Sequence, residues 1–197
     1  MILPTIILIR HGETLWNVEK RYQGQLNSDL TQKGKFQAKE NAFKVEKELD
    51  ATLPFKFYSS PLGRAKESAI IISDVLGLKR EEIIFDDRIK EFSYGIFEGK
   101  TKEECAKSHS QELAEREADK WSYLIEGGES YEVVTKRLHG WLDTIKEEKL
   151  IIMVAHEMVN RALRGVYCNY SKQKMLNLRQ ANDVVIKLQN RAETILN

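Results

Sequence analysis

The sequence predicts an α/β domain: a mainly parallel sheet flanked by helices on both faces, with one small helical excursion. Two observations carry this. Short apolar runs of strand length recur at residues 6–9, 55–58, 83–85, 150–155 and 184–188. Between them lie longer segments with helical periodicity. Strands apolar on both faces that alternate with amphipathic helices need cover on both sides of a parallel sheet.

Taken in chain order, the first strand, 6–9, runs straight into Arg10, His11 and Gly12 within "TIILIRHGETLWN". Thr31 is placed to cap a helix in which Ala38, Ala42, Val45 and Leu49 recur at helical spacing. The second strand, 55–58, ends in "YSSPLGRAKES", where Pro61 and a short turn lead into a helix bearing Arg64. Ala65, Ala69, Ile72 and Leu76 give that helix its apolar face, and Gly77 stops it. After the third strand, 83–85, "RIKEFSYGIFEG" places Glu91 beyond a turn. Residues 94–129 are charged and irregular, contain Trp121 and Tyr123, and read as the excursion and a candidate lid. Val134, Leu138, Leu142 and Ile145 mark a further helix. "LIIMVAH" is then the fourth strand, ending in His156, and 184–188 is the last.

The 197 residues suit a single domain, 1–197, large enough to bury roughly 70% of the unfolded surface. Lys plus Arg is 31 and Asp plus Glu is 30, a balance that offers no electrostatic case for nucleic acid or an anionic membrane as partner. Cys105 and Cys168 lack metal-type spacing, and two free thiols are the simpler reading, with one bridge as the alternative. The apolar start lacks a basic flank and a cleavage site, and no apolar run approaches membrane length. A cytoplasmic protein is expected.

Ligands of open parallel sheets bind beyond the carboxyl ends of the strands. Two of the four histidines and two arginines stand at or just past such ends. Two guanidiniums and two imidazoles facing one crevice suit a compact, multiply charged anion, because the planar arginine fork binds two phosphate oxygens at once. Gly12 would let the backbone approach it closely. An unprotonated imidazole aimed at a phosphoryl group can attack it and form a phosphohistidine. A carboxylic acid such as Glu91 could protonate the leaving oxygen. Arg10, Arg64 and a protonated His156 would stabilise the transferring oxygens. No metal or cofactor is called for. His109 and His139 lie in charged helical surroundings and read as solvated.

The ordered segments "RHGETLWN", "RYQGQLNSDLTQKG", "YSSPLGRAKESA", "IKEFSYGIFEG", "GGES" and "VAH" resemble the histidine phosphatase superfamily, the phosphoglycerate mutase-like proteins, over nearly the whole chain. The resemblance implies that His11 takes the phosphoryl group, that Arg10, Arg64 and His156 form the phosphate pocket, and that Glu91 is the proton donor. Asn17, Gln23 and Gly24 match positions near the phosphate oxygens. It further implies a metal-independent phosphomonoesterase acting on a small phosphorylated metabolite. A cofactor-dependent phosphoglycerate mutase and a phosphate-binding protein without turnover are the alternatives. The mutase branch resembles a longer chain with an arginine pair before its "GES" segment, whereas Arg116 stands alone in that region here. One departure concerns Glu157, where the family usually has glycine. It reads as opening a helix and pairing with Arg161. The functional alternative is that it raises the His156 pKa, offsets positive charge and selects against heavily charged substrates.

Overall fold

The computed structural model describes residues 3–50 and 53–197. Strands β1 (Thr5–Arg10), β2 (Phe55–Ser59), β3 (Ile83–Phe85), β4 (Leu150–Ala155), β5 (Val185–Gln189) and β6 (Ala192–Leu196) form one sheet in the order β3-β2-β4-β1-β5-β6. The first four strands are parallel, β5 is antiparallel to β1, and β6 is antiparallel to β5. The sheet is therefore mainly parallel, as expected, with an antiparallel hairpin at one edge.

The helices are α1 (Leu15–Val18), α2 (Gln32–Glu46), α3 (Gly63–Val75), α4 (Lys102–Ser108), α5 (Ser110–Ala118), α6 (Tyr131–Ile145), α7 (Glu157–Cys168) and α8 (Lys172–Asn177). Successive side chains of central strand β1 point to opposite faces and enter two cores. Ile6 and Leu8 pack with residues of α6 and α7, and Ile7 and Ile9 pack with residues of α2 and α3. All four are fully buried, each stabilising the fold by about 1.5–3 kcal/mol relative to exposure.

Local chemistry sets the helix ends. The Thr31 hydroxyl accepts from the Gly34 amide, which starts α2 where the capping pattern places it. Helix α3 follows Leu62, which cannot cap, and Asn27 supplies the missing oxygen to the Arg64 amide at 2.9 Å. Gly77 ends that helix at φ +66°. The excursion forms a short 3-10 turn, α4 and α5, and is tied to the larger core by buried Cys105, Leu113 and Ile125. Cys105 and Cys168 are both free and buried. No described helix is long and apolar enough to cross a membrane.

Candidate active site

Strand β1 delivers His11 to the carboxyl edge of the sheet and the surrounding chain fixes its backbone. The His11 amide donates to Ala155 O at 3.0 Å, its carbonyl accepts from Asn182 Nδ2 at 2.7 Å, and the Gly12 amide donates to Ser68 Oγ at 3.1 Å. Gly12 has a packing role in the structure. A β-carbon there would lie 2.1 Å from the Gly34 carbonyl oxygen, so the glycine lets this loop pack on the start of α2.

The His11 ring is 2% exposed, and its Nδ1 lies 2.7 Å from the Gly12 carbonyl. A carbonyl can only accept, so Nδ1 carries the proton and Nε2 keeps its lone pair. Burial first, then the Arg64 and Arg10 guanidiniums, hold the ring well below the usual imidazole range. Arg64 Nε donates to His11 Nε2 at 3.3 Å, while its two Nη groups donate to Leu26 O at 2.6 Å and Gly24 O at 2.7 Å. Gly24 adopts φ +53°, a left-handed conformation that glycine tolerates. Burial pulls the Arg64 guanidinium down to about 10, so it stays charged at neutral pH.

Arg10 is held by one Nη, which donates to Gln180 O at 2.8 Å and pairs with Glu157 at 3.0 Å. Its Nε is buried without a partner among the described residues. His156 is fully buried with its ring centroid 5.2 Å from that of His11. Its Nε2 lies 2.7 Å from Ser60 Oγ, and its Nδ1 has no partner among the described residues. Burial, then the charges of Arg64 and neighbouring groups, keep this ring neutral, where a protonated one was expected. A dianion bound beside the ring would oppose that depression.

Glu91 is 7% exposed and meets the first turn of α7, accepting from the amides of Phe92 (2.9 Å), Val159 (3.2 Å) and Met158 (3.4 Å). Those amides and two guanidiniums favour the carboxylate, but burial outweighs them and the pKa is raised. Glu98 is engaged elsewhere: its oxygens accept from the amides of Gln25, Leu26 and Tyr94 and from Ser93 Oγ, tying the 23–26 loop to the 93–98 turn.

A cavity of about 120 Å³ collects Arg10, His11, Arg64 and Glu91, with Asn17, Gln23 and Gly24 also on its wall. Such a volume lies well below the roughly 300–1,000 Å³ of drug-sized pockets and suits a phosphoryl group. Asn17 also serves α1, accepting from the Thr14 amide at 3.1 Å. Gln23 presents a buried Oε1 without a partner among the described residues. Tyr94 reaches the wall, whereas Trp121 stacks on Tyr131 and Tyr123 packs on the core. His139 is exposed as expected, but His109 is half-buried edge-on to Phe97.

Sequence reasoning missed Ser60, Asn27, Gln180 and Asn182, and also Arg21 and Tyr22, which line the cavity. Ser60 stands at a strand end, the signal that found Arg64. Gln180 and Asn182 act from a loop at the far end of the chain, where no local pattern announces them. Arg137 was also missed; it pairs with Glu129 at 2.9 Å and donates to Arg88 O and Glu91 O, bracing the turn that carries Glu91.

The sequence of phosphoserine phosphatase 1 from Hydrogenobacter thermophilus is 32% identical over 199 residues, covering 93% of this chain and 90% of that protein. The "Probable phosphoglycerate mutase GpmB" of Escherichia coli is 36% identical over 150 residues, spanning 72% of this chain and 63% of that protein. In fold, the chain resembles the alpha-ribazole phosphatase from Shigella flexneri, with a TM-score of 0.80, 22% identity and coverage of 98% and 96% of the two chains. It also resembles a mycobacterial glucosyl-3-phosphoglycerate phosphatase, with a TM-score of 0.77, 23% identity and coverage of 93% and 90%. The model of the histidine phosphatase superfamily (branch 1) matches residues 6–195. With that match reaching every strand of the sheet, the chain belongs to the histidine phosphatase superfamily.

Proposed function

We propose that this protein is a metal-independent phosphomonoesterase that hydrolyses a small phosphorylated metabolite through a phosphohistidine on His11. The observation that carries the reading is the His11 ring, whose Nδ1 proton is committed to the Gly12 carbonyl while Nε2 meets Arg64 in the cavity. Phosphatase-named relatives support the reaction type.

In the first half-reaction Nε2 donates its lone pair to phosphorus, and the P–O bond to the leaving group breaks. Glu91, whose pKa burial raises, gives its proton to the departing oxygen. Arg10 and Arg64 hold the equatorial oxygens as charge spreads over them. His156 is not among the residues that line the cavity; its ring lies 5.2 Å from that of His11, with Nδ1 unpartnered among the described residues, so its support of the transferring oxygens is part of the proposal. Water then attacks phosphorus, its proton passes to the Glu91 carboxylate, the P–N bond breaks, and inorganic phosphate leaves with His11 restored.

The test is hydrolysis of p-nitrophenyl phosphate in EDTA by wild type and His11→Ala. Turnover that survives EDTA and is lost in the variant is the expected result, with an acid-labile, alkali-stable phosphoenzyme on rapid quenching. Activity that disappears with EDTA, or persists in His11→Ala, refutes the reading. The mutase reading is favoured by the 36% identity to the probable phosphoglycerate mutase, and isomerisation of phosphoglycerate without phosphate release would establish it.

A further inference from the structure

The carboxylate of Glu157 stands on the wall of the same cavity as His11, although the proposed reaction gives it no step. Oε2 pairs with Arg10 at 3.0 Å and Oε1 with Arg161 at 3.1 Å, and the side chain remains 25% exposed. The expected pairing with Arg161 is present, and the bond to Arg10 is new.

The bond to Arg10 has a directional consequence. Glu157 and the Gln180 carbonyl both occupy the same Nη group, while Nε stays buried and unpartnered among the described residues. Arg10 therefore keeps Nε for a phosphoryl oxygen while a negative charge sits close behind it. Glu157 lines the same cavity as Arg10, His11, Arg64 and Glu91, so a phosphoryl group held there shares with that carboxylate a partly dehydrated site where charge–charge energies exceed those in water.

Building on the phosphomonoesterase reading of this pocket, we propose that Glu157 is a specificity-determining residue that selects by leaving-group charge. The enzyme takes phosphomonoesters whose leaving group is neutral or cationic and turns away those bearing a carboxylate or a second phosphate nearby. Glu157 thus makes a general anion pocket into one that admits a single anionic group.

Two esters that differ only in that charge make the test: glycerol 3-phosphate, and 3-phosphoglycerate, in which a carboxylate replaces the terminal hydroxymethyl. Wild type is expected to favour glycerol 3-phosphate in kcat/KM by about 10-fold or more. Glu157→Gln should bring the ratio to within about 3-fold, chiefly by a rise for 3-phosphoglycerate, while Glu157→Asp, which keeps the charge, should retain the preference. An unchanged ratio in Glu157→Gln, an equal loss on both esters, or a wild-type preference for 3-phosphoglycerate overturns the proposal. Calorimetric binding of the two esters gives the same ratio without turnover. A charge preference in binding that Glu157→Gln removes, in a protein inert toward p-nitrophenyl phosphate, would sink the phosphatase reading and leave the selectivity standing. Equal binding of both esters, or of neither, would overturn the selectivity.

Discussion

At the scale of single residues, His11 and Glu91 illustrate how one cavity pushes a base and an acid in opposite directions. Burial disfavours the charged form of each, so the imidazole is lowered and the carboxyl is raised. The rate should therefore rise with pH as His11 loses its proton and fall again as Glu91 loses its own. In Glu91→Gln the alkaline limb should vanish, with kcat/KM for an alkyl phosphate down about 10²-fold or more and a much smaller loss for p-nitrophenyl phosphate, whose leaving group needs no proton. A pH–rate profile that keeps its alkaline limb in the variant assigns the acid elsewhere. The candidate site residues were legible because each stands in a short segment at or just past a strand end: Arg10, His11, Arg64 and His156. Their supports were not. Hydrogen bonds from Asn182 to the His11 carbonyl and from Arg10 to the Gln180 carbonyl join residues 171 and 170 positions apart, and a side chain bonded to a backbone oxygen leaves no pattern in the sequence.

Among the elements, β1, β2 and β4 announced themselves because apolar strands need no second clue. β6 did not. Its residues Ala192–Leu196 are mostly exposed, and the turn before it places Asn190 and Arg191 at φ 52° and 62°, where glycine would have been the usual signal. The glycines teach a related lesson about position. Gly12→Ala drives a methyl into the Gly34 carbonyl and should cost about 1–3 kcal/mol, since backbone on both sides must shift. Gly140→Ala, in the middle of α6 with open space around it, should instead stabilise by about 0.5–1 kcal/mol. Urea denaturation of the two variants checks both signs, and a Gly12→Ala protein as stable as wild type would mean that the loop between β1 and α2 repacks freely.

For the whole molecule, the two neutral buried histidines make folding stability depend on pH. The unfolded chain takes up protons on these rings near pH 6.5, whereas the folded rings resist to lower pH. Below that point the unfolded state binds more protons, so stability falls with pH by up to about 1.4 kcal/mol per unit for each ring. Glu91 acts with the opposite sign, because its raised pKa lets the folded state take a proton before the unfolded one. Denaturant midpoints should hold steady above roughly pH 7 and drop toward pH 5.5, less steeply in His156→Asn; a flat profile in wild type would mean the rings are protonated when folded. The strand order has another consequence, in time. β1 sits between β4 and β5, with Thr5 opposite Leu150 and Ile6 opposite Leu188. At roughly 5–20 residues per second on the ribosome, this apolar strand is made on the order of ten seconds before either neighbour exists. The nascent chain must shelter Ile6, Ile7, Leu8 and Ile9 through that interval, and the proposed nucleophile His11 has no pocket around it until the final third of synthesis closes the sheet.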